Sequence, residues 1–423
     1  MAEEIKESVC SFCGKHYTDN DKTILFTADT PGALICYDCA KEIYSNYKDK
    51  IDSMREVSGS VQADQKWTPQ SMKEYLDQYI IGQEKAKEIL CTAVYNHYQI
   101  LKMREDGNKN AVEVEKSNVI MAGPTGVGKT AIIKRLAKIM QVPCVIADST
   151  SLTSAGYVGD DVESVIQSLL IEADYDVEKA QKGIVYLDEI DKTNRHGENP
   201  STTADPGHEG TQQALLKLIE GTVANVPLKG QRKHPNADMV KVDTSNILFI
   251  VGGAFEGIEK IITRRHNSGM AGVGFGSVLV NDKDKKKSYN EIISDLRVED
   301  LKKFGMTPEL LGRLPVICPM KELTEEQLVE ILSKPKNSLL KQYQTLFKAQ
   351  GVDLTFDDEA LKTVAHLAIE RKTGARGLRG IMESILSHEM YSIPSDDSIG
   401  SVTVTGKDFE IIRGEKPAEE ISA

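Results

Sequence analysis

The sequence predicts an α/β protein, a doubly wound parallel sheet with a small α+β domain after it and a small metal-binding domain before it. Three observations carry this expectation. A short apolar strand, Asn118 to Ala122, runs into Gly123-Pro-Thr-Gly-Val-Gly-Lys-Thr130, a glycine-rich turn that opens a helix. A second buried-type strand, Gly183 to Leu187, ends in Asp188-Glu189. Two Cys-x-x-Cys pairs, Cys10 with Cys13 and Cys36 with Cys39, stand near the N-terminus.

Composition narrows the functional classes. The 423 residues are 40% hydrophobic and 27% charged, with no apolar run approaching the roughly 18 to 20 residues that span a bilayer, which excludes an embedded protein. Lysine plus arginine number 52 against 64 acidic residues, a net charge of -12, so the overall field repels phosphate backbones and nucleic acid is not an expected partner. The opening MAEEIKESVC has no apolar signal-like stretch, and a cytoplasmic location is expected. In that reducing compartment the seven cysteines do not read as a disulfide framework.

Residues 1–50 read as the metal domain. Each Cys-x-x-Cys places two thiols on one knuckle, and two knuckles together satisfy a tetrahedral ion at about 2.3 Å per sulfur, which suits zinc. The alternatives are a redox dithiol or simply reduced cysteines, with His16 replacing a thiolate only if one knuckle is unused. Four thiolates leave no position for water, so the ion is structural, and so small a piece depends on it to fold. The first arginine is Arg55, which argues against a phosphate-gripping finger and for protein recognition. Residues 51–66 are polar, Ser- and Gly-containing and without an apolar period, a linker pattern. Order resumes at Trp67, where Thr68 suits an N-cap and Pro69 the first helical turn, opening a large domain over 67–319.

The large domain carries the triphosphate chemistry. The glycines of 123–128 let backbone N–H groups turn toward phosphates, Lys129 neutralises their charge, and the Thr130 hydroxyl is a magnesium ligand. Asp188 is placed at a strand tip to support the same magnesium, and Glu189 to polarise the attacking water. A helix-capping surface pair is the plainer reading of the two acids. Further strands are expected at Pro143 to Ala147, Asn246 to Val251 and Pro315 to Cys318, alternating with helices, so the ligand belongs at the strands' carboxyl ends.

Over nearly its whole length the chain resembles the ClpX family of AAA+ unfoldases. The resemblance rests on the two cysteine knuckles, Tyr79-Ile-Ile-Gly-Gln83, the phosphate loop, Leu187-Asp-Glu-Ile-Asp-Lys192, Gln212 to Gly221, Gly312-Arg-Leu-Pro315 and Gly374-Ala-Arg-Gly-Leu-Arg379. HslU-type unfoldases share the core motifs, but the cysteine segment is not expected in them. The resemblance implies ATP with magnesium and an adenine lying against Ile80 and Ile81, which are otherwise plain core residues. It implies an arginine finger, Arg313, reaching a neighbouring subunit's site, and Arg376 reaching its own nucleotide from the small domain. The active site then belongs to two chains, and a homo-hexamer is expected. Tyr157 and Val158, within Gly156-Tyr-Val-Gly159, would grip a threaded polypeptide. The long polar excursions Thr193 to Gly210 and Val226 to Asp238 would face the channel, with Arg232, Lys233 and His234 selecting substrate tails. Val273-Gly274-Phe275 stands where the family carries Ile-Gly-Phe to dock a ClpP-type peptidase, and the lost methylene weakens such an anchor by about 0.8 kcal/mol. Unfolding substrates and adaptor proteins are the further partners implied. No first sensor is assigned, because Ile247 to Phe255 carries two glycines where AAA+ strands end in a polar residue.

Residues 320–423 form the expected α+β lid. Thr324 and Gln327 suit a capping box with Leu323 and Leu328 as its staple, and strands are expected at Val352 to Phe356 and Ser401 to Thr405, with a polar tail from Glu415. Two other functions compete with an ATP-driven unfoldase that feeds a separate peptidase. One is a nucleic-acid-remodelling AAA+ ATPase with a zinc finger, which the acidic charge and Tyr157-Val158 oppose. The other is a non-hydrolysing scaffold, which Lys129, Asp188, Glu189 and Arg313 oppose.

Overall fold

A computed structural model of the chain describes residues 8–17, 25–27, 34–39, 41, 67–105, 114–153, 160–193, 206–227, 239–270 and 288–416. Tyr157, Val158, Arg232, Lys233, His234, Val273, Gly274 and Phe275 lie outside the described residues, as do 51–66 and 417–423. The chain divides into two units, residues 1–66 and 67–423. In the first, Ser8–Val9 pairs with His16–Tyr17 and Leu25–Thr27 with Leu34–Cys36, both antiparallel.

Alternation of side chains assigns the central strands of the second unit to two cores. In β1 (Val119–Ala122) every residue is buried; Val119 and Met121 join one apolar cluster while Ile120 and Ala122 join another. A strand covered on both faces reads as an uninterrupted apolar run. Three more strands follow in chain order: β2 (Cys144–Asp148), β3 (Ile184–Asp188) and β4 (Leu248–Gly253). β3 and β4 split in the same way, with Ile184, Tyr186, Leu248 and Ile250 on the first side and Val185, Leu187, Phe249 and Val251 on the second. With β5 (Val316–Pro319) they make an all-parallel sheet in the order β5-β1-β4-β3-β2. From β1 the chain crosses to the edge strand β2, returns through β3 to β4 on one side of β1 and then passes to β5 on the other, and the loop at such a position is where ligands bind in open α/β sheets.

The helices that matter to the site each have a local cause. α1 (Pro69–Asp77) starts at Thr68, whose side chain accepts from the Ser71 amide in a capping box, with Pro69 in the first turn. α2 (Glu84–Glu105) and α3 (Lys129–Met140) pack with α1 on one face, burying Leu90, Val94, Ile132, Ile133 and Leu136. On the other face lie α4 (Ser164–Glu172), α5 (Pro206–Glu220) and α6 (Ile258–Met270). α5 begins at Pro206, inside the stretch that sequence alone assigned to an irregular excursion ending at Gly210; helix C-terminal to the proline overrides the local glycine and histidine content.

The small domain has a core of its own. α7 (Glu325–Ser333) opens with the expected reciprocal cap: the Gln327 amide donates to Thr324 Oγ1 at 3.3 Å, and the Thr324 amide to Gln327 Oε1 at 3.1 Å. Leu328 is buried with Leu323 against it. α8 (Leu339–Lys348), α9 (Asp358–Glu370) and α10 (Ala375–Ser392) cover a three-stranded sheet, β6 (Asp353–Phe356), β7 (Ile399–Thr405) and β8 (Glu410–Glu415). β8 was not expected from the sequence. Its pattern is mostly exposed, so its pairing to β7 and not any apolar period defines it.

Candidate functional site

The phosphate loop stands at the carboxyl end of β1, between β4 and the small domain. Its closeness to that domain explains one of its glycines. At Gly126 (φ +75°) a side-chain carbon would stand 2.5 Å from the Thr373 carbonyl oxygen, and the Gly126 carbonyl accepts from the Ala375 amide at 3.1 Å. Lys129 is 8% exposed and its ammonium donates to the Gly123 and Pro124 carbonyls at 2.5 and 2.9 Å. Burial lowers its pKa, an effect that the carboxylates of Asp188, Asp191 and Glu189 oppose.

The tip of β3 meets the start of α3. Thr130 Oγ1 donates to Asp188 Oδ2 at 3.5 Å, and Asp188 Oδ1 accepts from the Tyr186 hydroxyl at 3.1 Å and the Glu189 amide at 3.0 Å. The glycine tip of β4 now has a physical reason: a side chain at Gly252 would overlap the Tyr186 hydroxyl, which is needed beside Asp188. Glu189 holds a left-handed backbone (φ 57°) and its carboxylate pairs with Lys192 at 2.6 Å. Asp191 accepts from the Ala254 and Phe255 amides at 3.2 and 3.0 Å and ties β3 to the tip of β4; burial raises its pKa against those bonds. Sequence reading placed Tyr186, Asp191 and Lys192 in the strand and its following motif but gave none of them a role. An acid and a base one helical turn beyond Asp188 were the available signal.

A cavity of about 700 Å³ collects these groups, lined among others by Thr125, Gly126, Gly128, Lys129, Thr130, Asp188, Glu189, Asp191, Lys192 and, from the small domain, Arg376. A second, of about 660 Å³, lies between Pro124, Thr125 and Val127 and the apolar Phe255, Leu323, Leu328 and Ile369. Ile80 packs on the core beside α1, and neither Ile80 nor Ile81 lines either cavity. The oxygens of Thr130 and Asp188, side by side in the first cavity, are the hard donors that magnesium takes.

Arg313 is elsewhere. It precedes β5, whose register sets Val316 beside Val119 and Pro319 beside Ala122, so about 13 Å of strand separates it from the phosphate-loop end of the sheet. Its side chain is half exposed and pairs with Glu220 at 2.9 Å, while its carbonyl accepts from Asn118 Nδ2 at 3.0 Å. Two strand pairs flank other sequence-expected site residues. Leu152–Thr153 pairs with Asp160–Asp161 on either side of Tyr157-Val158, and Val223–Pro227 with Met239–Asp243 on either side of Arg232-Lys233-His234.

In the N-terminal unit the four expected thiols converge: the sulfurs of Cys10, Cys13, Cys36 and Cys39 all lie within 4.8 Å of one another. Cys13 and Cys36 are 3.8 Å apart, which is the edge, about 3.8 Å, of a tetrahedron with 2.3 Å arms. Backbone N–H groups, first that of Cys13, draw the Cys10 thiol down to about 6, while a hydrogen bond with Cys36 pushes Cys39 up to about 12. This group can hold a metal ion, and His16 is not needed for it.

A parallel sheet with a phosphate loop, an acidic strand tip and a lid bearing an arginine defines a nucleotide-dependent AAA ATPase. Residues 114–317 match the model of the AAA domain (Cdc48 subfamily), and 323–404 that of the C-terminal, D2-small domain of ClpB protein. The chain is 46% identical over 389 residues to the ATP-dependent Clp protease ATP-binding subunit ClpX of Treponema denticola, covering 92% of this chain and 90% of that protein. Against the ClpX of Bacteroides thetaiotaomicron it is 45% identical over 399 residues, 94% of each. The chain belongs to the ClpX family. Among the described residues no helix is long and apolar enough to cross a membrane.

Proposed function

We propose that this protein is an ATP-driven unfoldase that threads substrate proteins into a ClpP-type peptidase, acting as the peptidase's specificity subunit and able to act on proteins as a chaperone alone. The observation that carries the reading is the convergence of Lys129, Thr130, Asp188, Glu189 and Arg376 on one cavity closed by two domains.

The residues divide the work. Backbone N–H groups of the loop glycines and the Lys129 ammonium bind the phosphates; burial of Lys129 strengthens its attraction to them. Thr130 and Asp188 would hold magnesium, which when bound neutralises charge developing on the transferred phosphoryl group. The Tyr186 hydroxyl and Glu189 amide orient the Asp188 carboxylate by occupying its other oxygen. Glu189 takes the proton of the attacking water, and its pairing with Lys192 holds the carboxylate in place. Adenine is assigned to the Ile80–Ile81 segment by family resemblance.

Arg376 senses the nucleotide within its own chain. Arg313, too far from its own phosphate loop, is assigned to a neighbour's site in a homo-hexamer, where an arginine finger contributes about 10³ to 10⁵ in rate. Tyr157 and Val158 grip the polypeptide, Arg232, Lys233 and His234 favour acidic tails, and Val273-Gly274-Phe275 docks the peptidase; these roles rest on the sequence resemblance. Zinc in the four-cysteine site holds the N-terminal domain for contacts with substrates and adaptor proteins. The chain acts in the cytoplasm by this reading.

The test is degradation of a folded fluorescent protein by this chain with a ClpP-type peptidase and ATP. Fluorescence should fall only with both present, and Tyr157→Ala should hydrolyse ATP yet leave the substrate folded. ATP turnover stimulated by DNA and not by polypeptide would refute the reading.

A further inference from the structure

The large sheet ends at Pro319 and the small domain's first helix begins at Glu325, so the connector between them is five residues long. Two adjacent residues in it are gripped by side-chain carboxamides in the same unusual way. Gln83 Nε2 donates to the Lys321 carbonyl at 2.7 Å, and the Lys321 amide donates to Gln83 Oε1 at 3.0 Å. Asn290 Nδ2 donates to the Glu322 carbonyl at 3.1 Å, and the Glu322 amide donates to Asn290 Oδ1 at 2.7 Å. Each amide satisfies both the donor and the acceptor of one residue, as a neighbouring strand would.

The two clamps come from different places. Gln83 is buried, stands in a left-handed conformation (φ 61°), and ends the Tyr79–Gln83 segment; two residues before that segment's first isoleucine, the Gln78 carbonyl also accepts from the Lys336 amide of the small domain at 3.0 Å. Asn290 belongs to the short helix Tyr289–Ile293. The Lys321 and Glu322 side chains are exposed, so these two residues are held through their backbone, between the Met320 amide on the Ala122 carbonyl at 2.7 Å and the Thr324 amide on Gln327 Oε1 at 3.1 Å.

From this geometry we infer that Gln83 and Asn290 are positioning residues for nucleotide binding. They fix the connector through Glu322, so that the small domain pivots beyond it and Arg376 is held over the phosphate loop. The inference rests on the nucleotide reading of that cavity. Without a clamp the lid samples orientations in which Arg376 leaves the site, and the apparent dissociation constant rises as the inverse of the fraction of time it is in place.

Two readouts on the full chain test this. Trypsin cleavage after Lys321, measured by mass spectrometry without nucleotide, should accelerate at least tenfold in Gln83→Met and in Asn290→Leu, which keep side-chain volume and lose the bonds. The dissociation constant of a fluorescent ADP analogue should rise at least fivefold in each, with the thermal midpoint of the large domain unchanged. In an Arg376→Ala background neither substitution should weaken binding further, because the lid then contributes no charge to lose. Cleavage at the parental rate overturns the clamps. A dissociation constant within twofold of the parent's, or full additivity with Arg376→Ala, overturns the positioning role. Should Gln83→Met fail to fold, Asn290→Leu, at a partly exposed position, decides both. Failure of the parent itself to bind the analogue refutes the nucleotide reading instead, and the cleavage arm still decides the clamps.

Discussion

Gly126 of the phosphate loop and Thr373 of the small domain are packed backbone to backbone: a single added carbon at 126 would reach within 2.5 Å of the Thr373 carbonyl oxygen. The nucleotide loop is therefore one wall of the domain junction, and whatever moves the loop moves the lid. Gly126→Ala also strains a backbone at φ +75° that alanine rarely adopts. Expected is at least a tenfold loss of nucleotide affinity by fluorescence titration. Affinity equal to the parent's would mean the loop and lid are independent.

Glu189→Gln should leave nucleotide affinity within about threefold and lower turnover by about 10² to 10⁴, the range of a lost general base. The pairing with Lys192 is solvent-exposed on the lysine side and adds little to stability, so the fold should persist. Phosphate release under saturating ATP measures it. A variant that turns over at the parental rate would remove Glu189 from the chemistry.

Zinc removal should unfold the N-terminal unit and leave the rest intact. Element analysis should find one zinc per chain, lost in Cys36→Ser, whose parent thiol faces Cys13 at 3.8 Å. Since residues 67–423 form a separate unit, their thermal transition should be unchanged. Full metal retention after the substitution would contradict the four-thiolate site.

His97 makes stability fall with acidification. It is 2% exposed, and burial, with the positive Lys116 near it, lowers its pKa from 6.5 to about 4. The folded state stays neutral where the unfolded chain binds a proton, so the contribution is complete above pH 6.5 and is lost as pH drops toward 4. The loss should be on the order of 3 kcal/mol across that window. Urea unfolding of the parent and of His97→Leu between pH 7.5 and 4.5 checks it, with the shallower slope expected in the variant. Equal slopes would locate the acid sensitivity elsewhere.

Contiguous features were legible in the residues alone. The phosphate loop, the acidic tip of β3, the cap at Thr324 and the cysteine knuckles are each written within a dozen neighbouring residues, because local backbone chemistry sets them. Two features misled or escaped. α5 starts within an apparently irregular stretch, and β8 shows no apolar period, since each is stabilised by distant partners.

The sequence by itself determined the phosphate loop, the acidic strand tip, the four-cysteine group and membership of the ClpX family, because those features need particular side chains at short spacing. Tertiary structure alone decided that Tyr186 fills the space left by Gly252, that Arg313 lies across the sheet from its own loop, and that Gln83 grips a backbone 238 positions away. Close approaches of this kind are set by how the layers stack and which strands neighbour each other, and no local pattern of residues records them.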